Sequence, residues 1–228
     1  MSNDTPTNHR PGLLGVSVAA PNDFLDLLAD LGTQTTLEEG QDLFRQGDEA
    51  DGLFVLLDGL VEISTLSRDG RKLAHILLKP GTVFGEIALF DGGRRSATVT
   101  AKKPLRLIQI RRDRLLTEIQ ENPELAIQLL RLAIGRMRWM TEQLDDYAFQ
   151  SVETRLARKL VFLSQTIGEN DVIRMSQSDL AEHVGATREA VSKALAELKY
   201  NGIVDIGRGS IVLRDTHALE ALASLGSV

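Results

Sequence analysis

The chain has 228 residues, of which 43% are hydrophobic and 25% charged, and its formal net charge is −6. This length allows one large or two smaller domains, and the charge argues against indiscriminate binding of nucleic acid while leaving room for a local basic patch. The absence of cysteine excludes disulfides, iron–sulfur clusters and cysteine nucleophiles. No apolar run reaches membrane length, and the four histidines are too scattered for a metal motif. We therefore expect a cytoplasmic protein with no metal and no membrane partner.

The N-terminal half has the pattern of a small β-domain. Residues 1–20 are interpreted as a flexible tail, and a short helix is predicted next, with Asn22 as its cap and Gly32 as its stop. From about residue 37 to 110, glycines separate short apolar runs at a spacing typical of an antiparallel sandwich or roll. Asp69-Gly70 is the strongest hairpin signal in this region. The whole domain is predicted to span residues 21–121.

Residues 84–100, with the sequence FGEIALFDGGRRSATVT, carry most of the chemical information in this domain. A glycine-rich turn followed by Arg95 can hold a phosphate, because free backbone N–H groups and a guanidinium both donate to it. The carboxylate of Glu86 has no place on a phosphate, but it can accept a hydrogen bond from a sugar hydroxyl. The last residues alternate in polarity like a strand. Phosphate and ribose together suggest a nucleotide.

A long helix is predicted to follow, since Asn122-Pro123 is typical of a helix start and the helical pattern continues to about Phe149. Residues 122–150 are interpreted as a dimerisation helix and hinge. Seven positions at alternating steps of three and four, here called the seam, predict a parallel homodimer. The seam consists of Ile127, Leu130, Ile134, Met137, Thr141, Leu144 and Ala148. The alternative is a helix face packed on its own domain. Thr141, polar in this stripe, could fix the register, be a satisfied core hydroxyl or contact a ligand.

Residues 151–228 have the pattern of a DNA-binding domain. A helix over 152–167, a short strand, two helices and a hairpin are predicted, with Ser176 and Thr187 as N-caps. The two helices, joined at Gly185, have helix-turn-helix spacing. The polar face of the second helix can contact base edges in a major groove, and it carries Arg188, Glu189, Ser192 and Lys193. The alternative for this face is an ordinary solvated surface.

This order of parts, an α+β chain with an N-terminal antiparallel β-roll, a long dimerisation helix and a C-terminal winged helix-turn-helix, resembles the cyclic-AMP receptor protein/fumarate–nitrate regulator (CRP/FNR) family. The resemblance extends from about residue 21 to the end. It implies a transcription regulator, not an enzyme, that responds to a cyclic nucleotide. It also implies a homodimer that binds a palindromic double-stranded DNA operator with TGTGA-type half-sites and contacts RNA polymerase.

By this resemblance, the nucleotide site comprises Gly85, Glu86, Ile87, Arg95, Ser96, Ala97, Arg136 and Thr141. Glu86 would bind the ribose 2′-hydroxyl, Arg95 and Ser96 the cyclic phosphate, and Arg136 would approach both the phosphate and Glu86. Thr141 would meet the base, although Met140 departs from the pair of hydroxyl residues that family members commonly place there. Cyclic AMP is the first choice of ligand. Cyclic GMP is the alternative, because a hydroxyl beside the arginine, as in Ser96, often accompanies it in related modules.

The same resemblance assigns DNA contacts. Arg188, Glu189 and Lys193 match base-contacting positions, with Ser192 on the same face and with lysine where arginine is frequent. The phosphate contacts would come from Ser176, Gln177, Thr187 and Arg208.

Two rival functions remain open: a regulator that binds DNA constitutively with a non-functional nucleotide site, and an enzyme acting on a nucleotide phosphate. Against the enzyme, the sequence contains no Walker-type loop and no evident metal cluster.

Overall fold

The computed structural model describes residues 22–225, so the predicted tail at residues 1–20 lies outside the described residues. Helices and strands alternate in two groups joined by one long helix. In chain order the elements are α1 (Asn22–Leu31), β1 (Thr33–Leu37), β2 (Asp42–Phe44), β3 (Gly52–Leu66), β4 (Lys72–Leu78), β5 (Val83–Phe84), α2 (Glu86–Asp91), β6 (Thr98–Arg111), α3 (Arg112–Glu121), α4 (Pro123–Phe149), α5 (Val152–Ile167), β7 (Val172–Ile173), α6 (Gln177–Val184), α7 (Arg188–Tyr200), β8 (Val204–Gly207), β9 (Ser210–Leu213) and α8 (Thr216–Ala223).

The six strands β1 to β6 form one antiparallel sheet, here called the roll. Its order is β1-β6-β3-β4, with β2 paired to β6 and β5 paired to β3. The long strands β3 and β6 pair along most of their length, from Gly52 opposite Arg111 to Ser64 opposite Thr98. Their register shifts around Gly59, where the backbone has φ +93°. Such shifts bend a ladder and increase its twist, which allows a single sheet to curl over its own core.

The long helix α4 packs one face on the roll. Its buried residues Leu125, Leu129 and Leu132 share a core with Phe24 and Leu28 of α1 and with inward side chains of β3 and β6. These three leucines lie three or four residues apart, so they form one apolar stripe on the helix. The helix is therefore part of the N-terminal domain along its first half.

The seam lies on a different face of α4, and all seven of its positions are exposed in the single chain. Among them, Met137 is 67% and Leu144 66% exposed. The alternative in which the seam packs on its own domain is therefore wrong, because other residues of the helix fill that role. An exposed apolar stripe of this length on a water-facing helix is typical of an interaction surface.

The C-terminal domain, residues 151–225, has a core that also includes Leu60 and Leu77 of the roll. Leu156 and Leu160 of α5 pack against the two following helices and the small sheet β7-β9-β8, and α8 covers α5. The helix predicted over 152–167 is confirmed with the same bounds. The predicted turn at Gly185 has φ +65°, the left-handed conformation that ends α6.

Three helices were not expected from the sequence. They are α2 in the glycine-rich stretch, α3 at the end of the roll and α8 near the C-terminus. The six-residue α2 lies between Gly85 and Gly92, both left-handed, so it is too short to show a helical period. The strand expected from Ser96 begins at Thr98 instead, because residues 96–97 form a bend that lets Arg95 turn inward.

Gly59 provides a test of the register shift in the roll. A Cβ at Gly59 would lie 2.5 Å from the Pro104 carbonyl oxygen, whereas a Cβ at Gly70 would meet nothing within 4 Å, and both residues have positive φ. Gly70→Ala is expected to cost about 1–2 kcal/mol from the left-handed conformation alone. Gly59→Ala should cost about 1–3 kcal/mol more because of the clash. Urea denaturation measures both, and equal losses would contradict the close approach.

Candidate nucleotide site and DNA-binding surface

The glycine before α2 fixes the geometry of the candidate nucleotide site. Gly85 has φ +87°, and its carbonyl accepts a hydrogen bond of 3.1 Å from Nη1 of Arg95. A Cβ on Gly85 would lie 2.9 Å from that nitrogen and 3.3 Å from the ring of Phe54. Both the backbone conformation and the space therefore require glycine here, and the arginine lies directly against the start of α2.

Arg95 is almost fully buried, with 3% of its surface exposed. Its Nη2 lies 3.2 Å from Oδ1 of Asp51, and its guanidinium stacks 4.2 Å from the ring centroid of Phe44. Burial lowers the pKa of Arg95, and the carboxylate of Asp51 opposes that shift, so the guanidinium stays charged. Its buried Nε has no hydrogen-bond partner among the described residues. A buried cation with an unused donor can accept a further anion.

Glu86 pairs with the long helix rather than with Arg95. Its carboxylate forms an ion pair with Arg136 of α4, and Arg136 also donates to the carbonyl of Val83. The Glu86 side chain is 3% exposed and that of Arg136 is 26% exposed. Glu86 and Arg95 form no ion pair with each other. Instead the two charges of the site have separate partners, Arg136 and Asp51.

The other expected nucleotide residues lie nearer the surface. Ile87 is 48% exposed, Ser96 is exposed and Ala97 is partly buried. The hydroxyl of Thr141 donates to the carbonyl of Met137 at 3.1 Å, back along its own helix. The structure thus brings Gly85, Glu86, Arg95 and Arg136 together, whereas Thr141 lies on the outer, seam face of α4.

Sequence reasoning missed Asp51, Phe44 and Val83 as neighbours of the site. Asp51 and Arg95 are 44 residues apart. They meet because the residues before β3 pair with the residues before β6, where the Arg95 N–H donates to the Asp48 carbonyl at 2.8 Å. No local motif marks an aspartate that ends a loop before a long strand. The stacking of Phe44 on Arg95 likewise depends on the pairing of β2 with β6. These partners follow from the sheet register, which a single sequence does not specify.

The candidate DNA-binding surface lies on α7. Arg188, Glu189 and Lys193 are exposed and Ser192 is partly buried, whereas the opposite face of the helix is buried in the domain core. The predicted N-caps are confirmed: the hydroxyl of Ser176 accepts from the Asp179 N–H at 3.1 Å, and that of Thr187 from the Ala190 N–H at 3.2 Å.

Two other expected DNA contacts, Arg208 and Gln177, lie outside α7. Arg208 is exposed in the turn between β8 and β9, and Gln177 is partly buried in the first turn of α6. The ends of α6 and α7 and this turn present their polar groups outward. The arrangement fits the expected surface, because backbone N–H groups at helix starts and an exposed arginine are common phosphate contacts.

A buried charge cluster joins the roll to the C-terminal domain. Glu62 of β3 is 2% exposed and lies 2.5 Å from Lys72, 3.7 Å from Lys102 and 3.5 Å from Nε2 of His183 on α6. Lys72 also reaches Glu182 at 3.4 Å. Burial disfavours the charged form of Lys72, but hydrogen bonding and attraction from Glu62 outweigh it and raise the pKa of this lysine. Burial lowers the pKa of His183 to about 4, so the imidazole is neutral near pH 7.

The described residues contain no group of three or more His, Asp or Glu side chains that could hold a metal ion. Among the helices described, none is long and apolar enough to cross a membrane.

The Glu86–Arg136 pair can be tested through stability. Arg136→Met leaves a buried carboxylate without its cation, a change that costs about 3–5 kcal/mol for buried pairs, and the partial exposure of Arg136 places the expected loss near the lower end. The double variant Glu86→Gln/Arg136→Met should recover part of that loss, because the stranded charge is gone. Urea denaturation of wild type, both single variants and the double variant measures the coupling. Strictly additive losses would show that the two side chains do not interact.

The chain is similar to known proteins in both of its domains. Residues 34–122 match the model of the cyclic nucleotide-binding domain, and residues 154–222 match that of the Crp-like helix-turn-helix domain. The chain is 33% identical over 186 residues to a CRP-like cAMP-activated global transcriptional regulator of Mycobacterium tuberculosis, covering 79% of this chain and 83% of that protein. It is 30% identical over 199 residues to the cyclic AMP receptor protein of Thermus thermophilus, covering 87% and 92%.

Solved structures agree with these matches. A CRP/FNR-family transcriptional regulator from Thermus thermophilus superposes with a TM-score of 0.75 at 28% identity, covering 86% of this chain and all of that one. The catabolite activator protein of Thermus thermophilus covers 89% of this chain and 95% of its own at 30% identity, with a TM-score of 0.52. The two matched domains, their order and the coverage of most of each chain all agree, and the chain belongs to the CRP/FNR family of DNA-binding transcription regulators.

Proposed function

We propose that this protein is a homodimeric transcription regulator whose binding to an operator is controlled by a cyclic nucleotide, cyclic AMP in first place. The observation that carries the proposal is the ion pair between Glu86 of the glycine-rich segment and Arg136 of α4. It places the candidate ligand site directly against the helix that bears the exposed seam. The cAMP-activated relatives support the choice of nucleotide.

The ligand's phosphate would bind at Arg95, whose buried guanidinium already faces one carboxylate and has one unused donor. A phosphate accepts several hydrogen bonds at once, so it can replace Asp51 as the partner of Nη2. Ser96 would add its hydroxyl, and Gly85, Ile87 and Ala97 would shape the surrounding wall. Glu86 would accept from the ribose 2′-hydroxyl beside Arg136.

The base would lie at the seam. Thr141 is exposed there, and in a dimer its hydroxyl could leave the Met137 carbonyl and meet a ligand held by either subunit. The exposed Leu130, Met137 and Leu144 would be buried by the second helix, which gives the dimer its apolar contact. Binding of the base at this contact would favour one arrangement of the two C-terminal domains, by as much as its affinity differs between arrangements.

The DNA contacts would come from α7 and the groups around it. Arg188 and Lys193 can donate to guanine, Glu189 can accept from cytosine, and Ser192 lies on the same face. Ser176, Gln177, Thr187 and Arg208 would hold backbone phosphates. A twofold dimer presents two such helices, so the operator would be a palindrome with TGTGA-type half-sites. RNA polymerase would be a further partner, and the relatives' role in transcription supports a non-enzymatic protein located in the cytoplasm.

A constitutive regulator is the alternative that one observation favours. Both charges of the candidate site already have protein partners, Asp51 for Arg95 and Arg136 for Glu86, so the site is electrostatically balanced without a ligand. Cyclic GMP instead of cyclic AMP is the second alternative, and Ser96 is the residue that favours it. Titration with both nucleotides separates these three possibilities.

Arg95→Lys tests the ligand site. Lysine keeps a positive charge beside Asp51 but loses the two-pronged guanidinium, so affinity for cyclic AMP is expected to fall about 10- to 100-fold, the effect of losing a hydrogen bond to a charged group. Isothermal titration calorimetry with cyclic AMP and cyclic GMP measures it. The neighbouring Arg94→Lys is the control, because Arg94 is exposed and donates to the Gly47 carbonyl instead. Wild-type protein that binds neither nucleotide yet binds its operator would support the constitutive regulator.

Arg188→Ala tests the DNA surface. Removing a base contact should weaken operator binding by about 1–3 kcal/mol and relax the base preference at one position of each half-site. Fluorescence anisotropy with the full palindrome, a single half-site and half-sites substituted at each base measures both effects. Lys199→Ala, exposed at the far end of α7, is the control and should keep the base preference. Equal affinity for one half-site and for the palindrome would contradict the dimer.

A further inference from the structure

A small cavity lies where the roll, the hinge and the C-terminal domain meet, apart from the candidate nucleotide and DNA sites. Its volume is about 50 Å³, and its lining includes residues of β4, α4, α5 and α6. A single water occupies about 30 Å³, so the space fits one small ion or one to two waters and is far too small for a nucleotide. The cavity is thus bounded by both domains at once.

Nitrogen atoms without protein partners concentrate in the residues around this cavity. Nε1 of Trp139, Nε of Arg155 and Nδ1 of His183 are buried and have no hydrogen-bond partner among the described residues. The tryptophan and arginine nitrogens are obligate donors, and the histidine nitrogen donates in one of its tautomers. Three residues of one lining that each carry such an atom form an unusual concentration, because nearly all buried polar groups in folded proteins have partners.

The net charge of the side chains around the cavity is positive, which favours an anion. Lys159 of α5 forms no salt bridge with any described residue, and its nearest aromatic contact is Phe162, 5.6 Å from the ring centroid. Arg155 stacks 5.1 Å from the ring of Tyr147 rather than on a carboxylate. The lining carries three cations, counting Arg158, against Glu142 and Asp146, and Asp146 is engaged by Arg158. One positive charge therefore remains in excess.

Burial is the largest cause of the pKa shifts in the lining, and it raises the pKa of Asp146. Burial lowers the pKa of Lys159 to about 8, and attraction from Asp146 does not restore it. Burial, together with repulsion from Lys159, lowers the pKa of both His75 and His183. A bound anion would favour the charged form of Lys159 and of both histidines and would oppose these three shifts.

We propose that this cavity is a binding site for one small inorganic anion, a halide or a tetrahedral oxyanion, held by the Lys159 ammonium with the N–H groups of Arg155 and Trp139. The anion would contact α4 and α5 at the hinge and His183 of α6. It would therefore stabilise the observed placement of the C-terminal domain against the roll. This site is independent of the nucleotide and DNA functions proposed above.

The experiment uses full-length wild-type protein without nucleotide or DNA. Sodium chloride, sulfate and phosphate are titrated separately at constant ionic strength against sodium gluconate, whose anion is too large for the cavity. Trp139 is the only tryptophan of the chain, so its fluorescence reports directly on the cavity. At least one of the small anions is expected to give a saturable fluorescence change. At one hundred times its dissociation constant, that anion should raise the unfolding midpoint by about 5–10 °C.

Lys159→Met and Lys103→Met separate specific binding from general salt effects. Lys159→Met should lose the saturable response while remaining at least as stable in gluconate, because an unpaired, partly buried charge has been removed. Lys103, exposed on the roll, is a matched control, and its variant should keep the response. Sulfate and phosphate stabilise proteins non-specifically, and that effect is common to all three proteins. A saturable response that persists in Lys159→Met, or its absence from the wild type with all three anions, would overturn the proposal.

Discussion

The buried carboxylate of Glu86 needs a cation, and the long helix provides it. Glu86 lies at the first position of α2 with 3% of its side chain exposed, and Arg136 of α4 is its ion-pair partner. A carboxylate so deeply removed from water would be strongly destabilising alone, so the glycine-rich segment and the helix must be positioned together. Any ligand that bonds to Glu86 necessarily perturbs the partner of Arg136. The candidate site is therefore connected to the helix by charge rather than by packing alone.

That connection matters because α4 serves two surfaces. Its 27 residues span about 40 Å, with Leu125, Leu129 and Leu132 buried on the roll and the seam turned outward. Arg136 lies just beyond the buried leucines, at the level of the helix where the seam residues Ile134 and Met137 are exposed. A movement of Arg136 therefore also moves α4, whose seam face is exposed.

Local signals explain what the sequence could predict. The bounds of α5, the caps Ser176 and Thr187 and the left-handed Gly185 all depend on residues within one or two turns of each other, and the structure confirms them. The α2 helix escaped prediction because six residues between two glycines show no period. Asp51 escaped prediction because its contact with Arg95 exists only once the residues before β3 have paired with the residues before β6. Glu86 and Arg136, about fifty residues apart, were linked through the family resemblance and not through any local pattern.

The contact between the roll and the C-terminal domain contains charged side chains at its centre. Its centre holds the buried carboxylate of Glu62 with its cation Lys72, beside the neutral imidazole of His183, and buried ion pairs contribute little net stability compared with apolar packing. Its apolar part brings Leu60 and Leu77 of the roll into the core of the C-terminal domain. Because the charged part of the contact contributes little net stability, placements of the C-terminal domain that differ only in this part are close in free energy, so a ligand of modest affinity can select between them.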